Sequence, residues 1–288
     1  MKKMWAQSEA TKSKPQKKSM IDEARHKLFE AAPELPDFVP KCMMIYGQDN
    51  TAKTGLALSI LTDEDVKEGK KIVVIDLDLG CMPLLIEYYA DKVYSGNIIY
   101  VNPIKWTEDE NGTPFVDYKA TIDEINAIGV AIREKWKEEN VKAVIFDGGS
   151  KLLKYAEQQM RVEKAITPDG GVSQRYWIVR NKMFIEALEL YKSLPVHKVF
   201  IFHDNFIPEA RADRDISSVV LQTNQMMFQK IYCERIDSGA VVRFRATIHK
   251  SKGDITLEGK SVEFATVNKE EGSFEWNPEK VLSLLNFT

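Results

Sequence analysis

The sequence predicts an α/β fold, with a mainly parallel sheet of five strands between helices and an added antiparallel β edge at the C-terminal side. Three observations carry this expectation. Two nearly continuous apolar runs, residues 71–78 and 141–147, have the character of parallel strands buried on both faces, and each ends in carboxylates. Segments with helical spacing lie between such runs, so strands and helices alternate and imply right-handed crossovers onto one sheet. From Tyr232 onward three β segments follow one another with no long helix between them, which is the pattern of antiparallel pairing.

The elements follow in order. Residues 1–19 carry six lysines against one glutamate and almost no apolar residue but Trp5, and read as a disordered basic tail. Residues 20–32 form an amphipathic helix with Ile21, Ala24, Leu28, Phe29 and Ala32 on one face. Pro33, Pro36 and Pro40 make an extended linker, and residues 41–288 form the main domain. The first core strand is 41–46, followed by a helix from Thr54 to about Leu61. Strand 71–78, a helix around 83–90 and strand 97–101 come next. Residues 106–118 are acidic and turn-rich, an exposed hairpin or loop with Asn111 and Gly112 at its tip. Ile122, Ile125, Ile128, Ala131, Ile132 and Trp136 mark a helix over 120–139 that delivers strand 141–147. A helix over 173–193 leads into the fifth core strand, 198–203. The edge segments are 232–236, 241–250 and 261–267, and a final helix over 278–285 starts at Pro278 with Asn277 as its cap.

Composition narrows the function. The chain has 288 residues, 44% of them hydrophobic and 29% charged, and its net charge of −3 gives no global attraction to nucleic acid. No apolar run approaches the ~20 residues of a membrane span, and no apolar core follows the N-terminal lysines. A cytoplasmic protein without a membrane partner is expected, in a host cell's cytoplasm if the chain is viral. Cys42, Cys81 and Cys233 are scattered, so neither disulfides nor a zinc site is expected.

The stretch that organises the chain runs Gly47, Gln48, Asp49, Asn50, Thr51, Ala52, Lys53, Thr54, Gly55. It follows a strand and opens a helix, as a phosphate-binding loop does. That motif asks for Gly, four residues, Gly, Lys, then Ser or Thr, and only Ala52 departs from it. Gly47 lets backbone N–H groups converge on phosphate oxygens, Lys53 reaches the β- and γ-phosphates, and the Thr54 hydroxyl ligates Mg²⁺. The positive end of the helix dipole adds to the cradle. The methyl of Ala52 is tolerable there only if its φ is negative. A strand-to-helix turn of this composition can also arise by chance.

Asp147, at the end of its apolar strand, is the candidate metal ligand, the alternative being a cap on the helix that follows near Ser150. Gly148 follows it, so a water-activating carboxylate has to come from elsewhere. Asp78 ends the strand after the loop's helix, on the same strand face as Asp76; its other role is a turn into Gly80. His203 ends the fifth strand, where it senses a γ-phosphate or is satisfied by a local hydrogen bond. Asp204 and Asn205 are substitutes for it.

This succession of a phosphate loop, an acid-tipped second strand, a Val-Ile-Phe-Asp strand, a polar-tipped fifth strand and a late Lys250-Ser251-Lys252 resembles the RecA-like P-loop ATPases, including RadA and KaiC relatives. More narrowly, Ser173, Gln174, Arg175, Tyr176 and Trp177 opening a helix that leads into Val199–His203 look like the small RecA-like ATPases of bacteriophages and archaeal viruses. The resemblance covers about residues 40–255. It implies ATP and Mg²⁺ as cofactors, with Asp78 in place of the family's catalytic glutamate, shorter by one methylene and therefore slower. Lys250 and Lys252 would match paired cations that reach the nucleotide of a neighbouring subunit in a homo-oligomeric ring or filament; read alone, they suit a solvated turn. The implied purpose is handling of single-stranded DNA in recombination, annealing or replication. The alternatives are a nucleic-acid translocating motor and a nucleotide-gated structural or regulatory oligomer. Residues 206–220 lie where the family has mobile DNA-binding loops, but Arg211 and Arg214 are balanced by Asp213 and Asp215 and Phe206 is the one aromatic ring, so a solvated lid fits the segment equally well.

Overall fold

A computed structural model of the chain describes residues 20, 39–167, 169–203, 219 and 222–285. The basic tail, nearly all of the helix expected over 20–32, Asp204, Asn205 and nearly all of the 206–220 loop lie outside the described residues. The chain divides into two units, Met1–Val39 and Pro40–Thr288, and the elements below belong to the second.

The strands are β1 (Cys42–Gly47), β2 (Lys71–Asp76), β3 (Ile98–Val101), β4 (Trp106–Glu108), β5 (Pro114–Val116), β6 (Val141–Asp147), β7 (His197–His203), β8 (Gln229–Asp237), β9 (Val241–Ser251), β10 (Ser261–Asn268) and β11 (Ser273–Trp276). The helices are α1 (Lys53–Leu58), α2 (Asp63–Lys67), α3 (Cys81–Tyr88), α4 (Ala90–Tyr94), α5 (Tyr118–Lys135), α6 (Gly149–Glu163), α7 (Gln174–Lys192) and α8 (Glu279–Leu282). Nine strands form one sheet in the order β11-β10-β9-β8-β1-β7-β6-β2-β3. β4 and β5 form the separate hairpin expected at 106–118, with Gly112 at φ +76 in its turn.

The apolar runs are continuous because the sheet is covered on both sides. Along β1, Cys42, Met44 and Tyr46 enter one core and Met43 and Ile45 the other. β6 divides in the same way, with Val144 and Phe146 on the first side and Ala143 and Ile145 on the second. The first core is closed by side chains of α5, α6 and α7 such as Ile125, Leu152 and Phe184; the second is closed by α1, α3 and α8 through Leu56, Leu85 and Val281. Alternation of side chains along a strand makes this division automatic.

Two expectations are refined. The first of the three late β segments is not wholly antiparallel: β8 runs parallel to β1, with Met43 opposite Gln229 and Tyr46 opposite Tyr232, and antiparallel to β9. The parallel part therefore has six strands and the antiparallel edge comprises β9, β10 and β11. The last helix is short, and Asn277 does not cap it by its side chain. The Asn277 N–H instead donates to the Phe264 carbonyl at 2.7 Å, which holds that residue to the sheet.

Strand order decides what meets at the carboxyl ends. β7 inserts between β1 and β6, and the register sets Gly47 beside His203, Ile201 beside Asp147, and Asp147 beside Asp76. Residues far apart in sequence are thereby gathered along one rim of the sheet.

Candidate functional site

The loop after β1 begins at Gly47, whose φ is +153. A Cβ there would lie 2.0 Å from the carbonyl oxygen of Cys233 on β8, so the neighbouring strand requires glycine. Asn50 and Ala52 both have left-handed backbones, φ +56 and φ +60. The negative φ expected for Ala52 is thus corrected. Ala52, which stands where the motif asks for its second glycine, holds a left-handed backbone at a cost of roughly 1–2 kcal/mol for an L-residue. The residue is held there by the start of α1, where Leu56 N–H donates to Ala52 O at 3.0 Å, and by packing of its methyl on the second core.

Lys53 is buried, and its ammonium donates to the carbonyls of Gly47 (3.1 Å) and Gln48 and to the Thr51 hydroxyl (3.3 Å). Thr51 in turn donates to Gln48 O at 2.8 Å. The loop is wrapped around its own lysine. Burial pushes the Lys53 pKa down, opposed by the charges of Cys233, Asp49, Asp147 and Asp78.

Thr54 and Asp147 meet although they stand 93 residues apart: the hydroxyl donates to Asp147 Oδ2 at 2.6 Å. The Cys81 thiol reaches the same oxygen at 3.2 Å. Asp147 is buried, and desolvation raises its pKa. It does not cap the following helix, because the turn into α6 is made by Gly148 at φ +100 with no side-chain cap. A Cβ at Gly148 would meet Leu77 Cβ at 2.7 Å, so glycine also lets the β2 and β6 ends pass closely. A threonine hydroxyl and a carboxylate are hard oxygen donors suited to Mg²⁺. That ion takes one or two carboxylates and completes its shell with phosphate and water. Among the described residues no three His, Cys, Asp or Glu side chains gather as a protein cage, and Mg²⁺ needs none.

The two carboxylates at the β2 end are not equivalent. The strand stops at Asp76, which is fully buried; its Oδ2 accepts from Cys81 N–H (3.0 Å) and Tyr100 OH (3.2 Å), while its Oδ1 has no partner among the described residues. Burial, then the charge of Asp76, pushes the Tyr100 phenol up to about 12. Asp78 lies beyond the strand, partly exposed, with His203 Nε2 at 3.5 Å and Lys151 Nζ at 3.9 Å. His203 also reaches across to the loop, its Nδ1 lying 2.9 Å from Asp49 Oδ1, and its backbone N–H donates to Ser150 Oγ at 3.0 Å. The imidazole therefore bridges the loop after β1 and the acidic end of β2.

Lys250 and Lys252 are elsewhere. Lys250 sits opposite Lys230 on β8, which pairs with Met44, so about three strand residues, roughly 10 Å, separate this level from Gly47. The Lys250 ammonium donates to Asn224 O (2.6 Å), and Lys252 to Gln225 O (3.2 Å) while standing 5.4 Å from the Phe228 ring centre. They lie toward the end of the sheet away from the loop of residues 47–55. Cys81, Tyr100, Ser150 and Lys151 complete the surroundings without having been singled out. Only Lys151 had a signal, at one helical turn from Asp147.

No protein-family profile and no curated protein matches this sequence. Among solved structures the chain is similar to a KaiC-like protein from the hyperthermophilic archaeon Pyrococcus horikoshii OT3. The two are 14% identical, the likeness covers 77% of this chain and 84% of that one, and the TM-score is 0.46. The functional reading rests on this chain's own residues. No helix among the described residues is long and apolar enough to cross a membrane.

Proposed function

We propose that the protein binds ATP with Mg²⁺ at residues 47–55 and hydrolyses it slowly. The observation that carries this reading is the 2.6 Å contact of Thr54 with Asp147, beside a buried lysine wrapped by a glycine-started loop. Lys53 would turn its ammonium from the loop carbonyls to the phosphates, and loop N–H groups would cradle them. Thr54 and Asp147 would hold the metal, whose role is to offset phosphate charge. Asp78 would take the proton of the attacking water, with His203, tied to Asp49, placed to orient it or to share the proton. An aspartate in place of the longer glutamate of the resembled ATPases makes turnover slow.

Assembly belongs to the same proposal. Since Lys250 and Lys252 lie away from their own loop, their chemistry would be exerted on a neighbouring copy in a ring or filament, where cations stabilise transition-state charge. Single-stranded DNA is the proposed polymer on which such an assembly acts. A nucleotide-gated regulatory oligomer is the second reading, favoured by the strained Ala52. Calorimetric titration of ATP into Lys53→Ala tests the core of the proposal: binding should be lost in a folded protein, and unchanged affinity would refute it. ATP turnover with and without single-stranded DNA, at two salt concentrations, separates the readings. Stimulation that weakens at higher salt supports the DNA role, and no stimulation at either salt refutes it.

A further inference from the structure

Asp76 has no task in the chemistry proposed above. It ends β2 fully buried, and it stands opposite Asp147 in the register of β2 with β6. Both side chains project from the sheet face that carries Ile72, Val74, Ala143 and Ile145, because residues two apart on a strand share a face. Two carboxyl groups therefore lie side by side in the interior. Oδ2 of Asp76 is taken by the Cys81 N–H and the Tyr100 hydroxyl; Oδ1 is buried and has no partner among the described residues.

Burying a carboxylate without a cation or a full set of donors is costly. The cations of this rim are engaged elsewhere. Lys151 and His203 lie against Asp78, His203 also lies against Asp49, and the Lys53 ammonium is held by loop oxygens. Neither Asp76 nor Asp147 makes an ion pair among the described residues. Cys81 ties the two together: its N–H donates to Asp76 Oδ2 and its thiol to Asp147 Oδ2, the oxygen that also receives the Thr54 hydroxyl. The pair is fixed in place and short of donors.

We infer that Asp76 is a positioning residue that selects the metal, its free oxygen accepting a hydrogen bond from a water of the Mg²⁺ held by Thr54 and Asp147. The inference rests on the ATP and Mg²⁺ reading and adds what discriminates between ions. α1 carries Thr54 over β1, β7 and β6, so Thr54 meets Asp147 from one side while Asp76 stands on the other, one strand spacing (about 4.8 Å) away. That offset suits contact through a water, not a third direct ligand. Mg²⁺ keeps several of its waters and is strict about their geometry, whereas Ca²⁺ takes more oxygens at longer and looser distances. An acceptor fixed by Cys81 and Tyr100 stabilises one ordered water and so favours Mg²⁺ over Ca²⁺.

The test is calorimetric titration of ATP into the full chain, Asp76→Asn and Tyr100→Phe, each in Mg²⁺, in Ca²⁺ and in EDTA. Asparagine keeps an acceptor for Cys81 and Tyr100 and removes the charge. Melting curves confirm folding, and Asp76→Ser replaces the amide variant if that one does not fold. Asp76→Asn should bind ATP about 10–100-fold more weakly than the parent in Mg²⁺, within about threefold of it in Ca²⁺, and no more weakly in EDTA. Tyr100→Phe removes a structural bond of the same carboxyl group and should keep the parent's affinity in Mg²⁺. Equal losses in all three media, or equal losses in both variants, would make Asp76 a structural partner of α3 and overturn the inference. Unchanged affinity of Asp76→Asn in Mg²⁺ would overturn it as well, while leaving ATP binding in place. If the parent binds ATP equally in Mg²⁺ and EDTA, or does not bind it, the ATP and Mg²⁺ reading itself falls.

Discussion

Replacing Ala52 by glycine should stabilise the protein, although alanine-to-glycine changes within helices destabilise it. Ala52 has φ +60 and ψ 22 immediately before α1. An L-residue there gives up roughly 1–2 kcal/mol that glycine does not. Against this, glycine gives the unfolded chain more freedom, worth roughly 0.4–1 kcal/mol. It also removes a methyl that rests on the second core. The first two terms leave about 0–1.6 kcal/mol and the lost methyl trims this to a gain of about 0–1 kcal/mol, a rise of at most about 4 °C in Tm for a domain of this size. Differential scanning calorimetry of Ala52→Gly beside Ala131→Gly is the assay. Ala131 is exposed inside α5, where glycine costs about 1 kcal/mol, so the two shifts should have opposite signs. If Ala52→Gly lowers Tm as Ala131→Gly does, the backbone at 52 is not left-handed and the account of this loop is wrong. ATP affinity of Ala52→Gly should be equal to or tighter than that of the parent, because the loop's shape is unchanged and a methyl near the phosphates is gone.

Three further outcomes are expected. Asp147→Asn should weaken ATP binding in the presence of Mg²⁺ far more than in EDTA; equal losses would make Asp147 a structural partner of Thr54 only. Asp78→Asn should leave ATP affinity within about twofold and lower turnover about 100-fold or more, since the amide keeps the shape but takes no proton; turnover within a few-fold of the parent would move the base to another group. Lys53→Ala and Lys252→Ala, each inactive alone, should recover part of the activity when mixed, because a mixed interface pairs an intact loop with an intact Lys252. Wild-type turnover linear in concentration down to a demonstrated monomer, with no recovery on mixing, would leave Lys252 as the partner of Gln225 and Phe228 alone.

Much of this protein can be read from its residues in order. The all-apolar strands, the helix spacing of Ile122, Ile125 and Ile132, and the acids at the ends of β2 and β6 follow from short-range pattern, since alternation and helical period express burial directly. The loop motif of residues 47–55 is equally legible, because its residues are adjacent in the chain. Pattern could not supply the sign of φ at Ala52, which is held by α1 and the core beneath it. Nor could it supply the direction of β8: side chains alternate identically in parallel and antiparallel strands, so the partner is chosen by the packing of the whole sheet. The same holds for the site. Asp78 and His203 could each be suspected singly, but only the insertion of β7 between β1 and β6 brings the imidazole between Asp49 and Asp78. The hydrogen bond of Trp276 to Ser59 is further still from the sequence, since it spans 217 residues. Local dihedral and burial preferences are written residue by residue; contacts between distant segments exist only once the sheet order is set, and it is those contacts that bring Thr54 to Asp147 and His203 to Asp49 and Asp78.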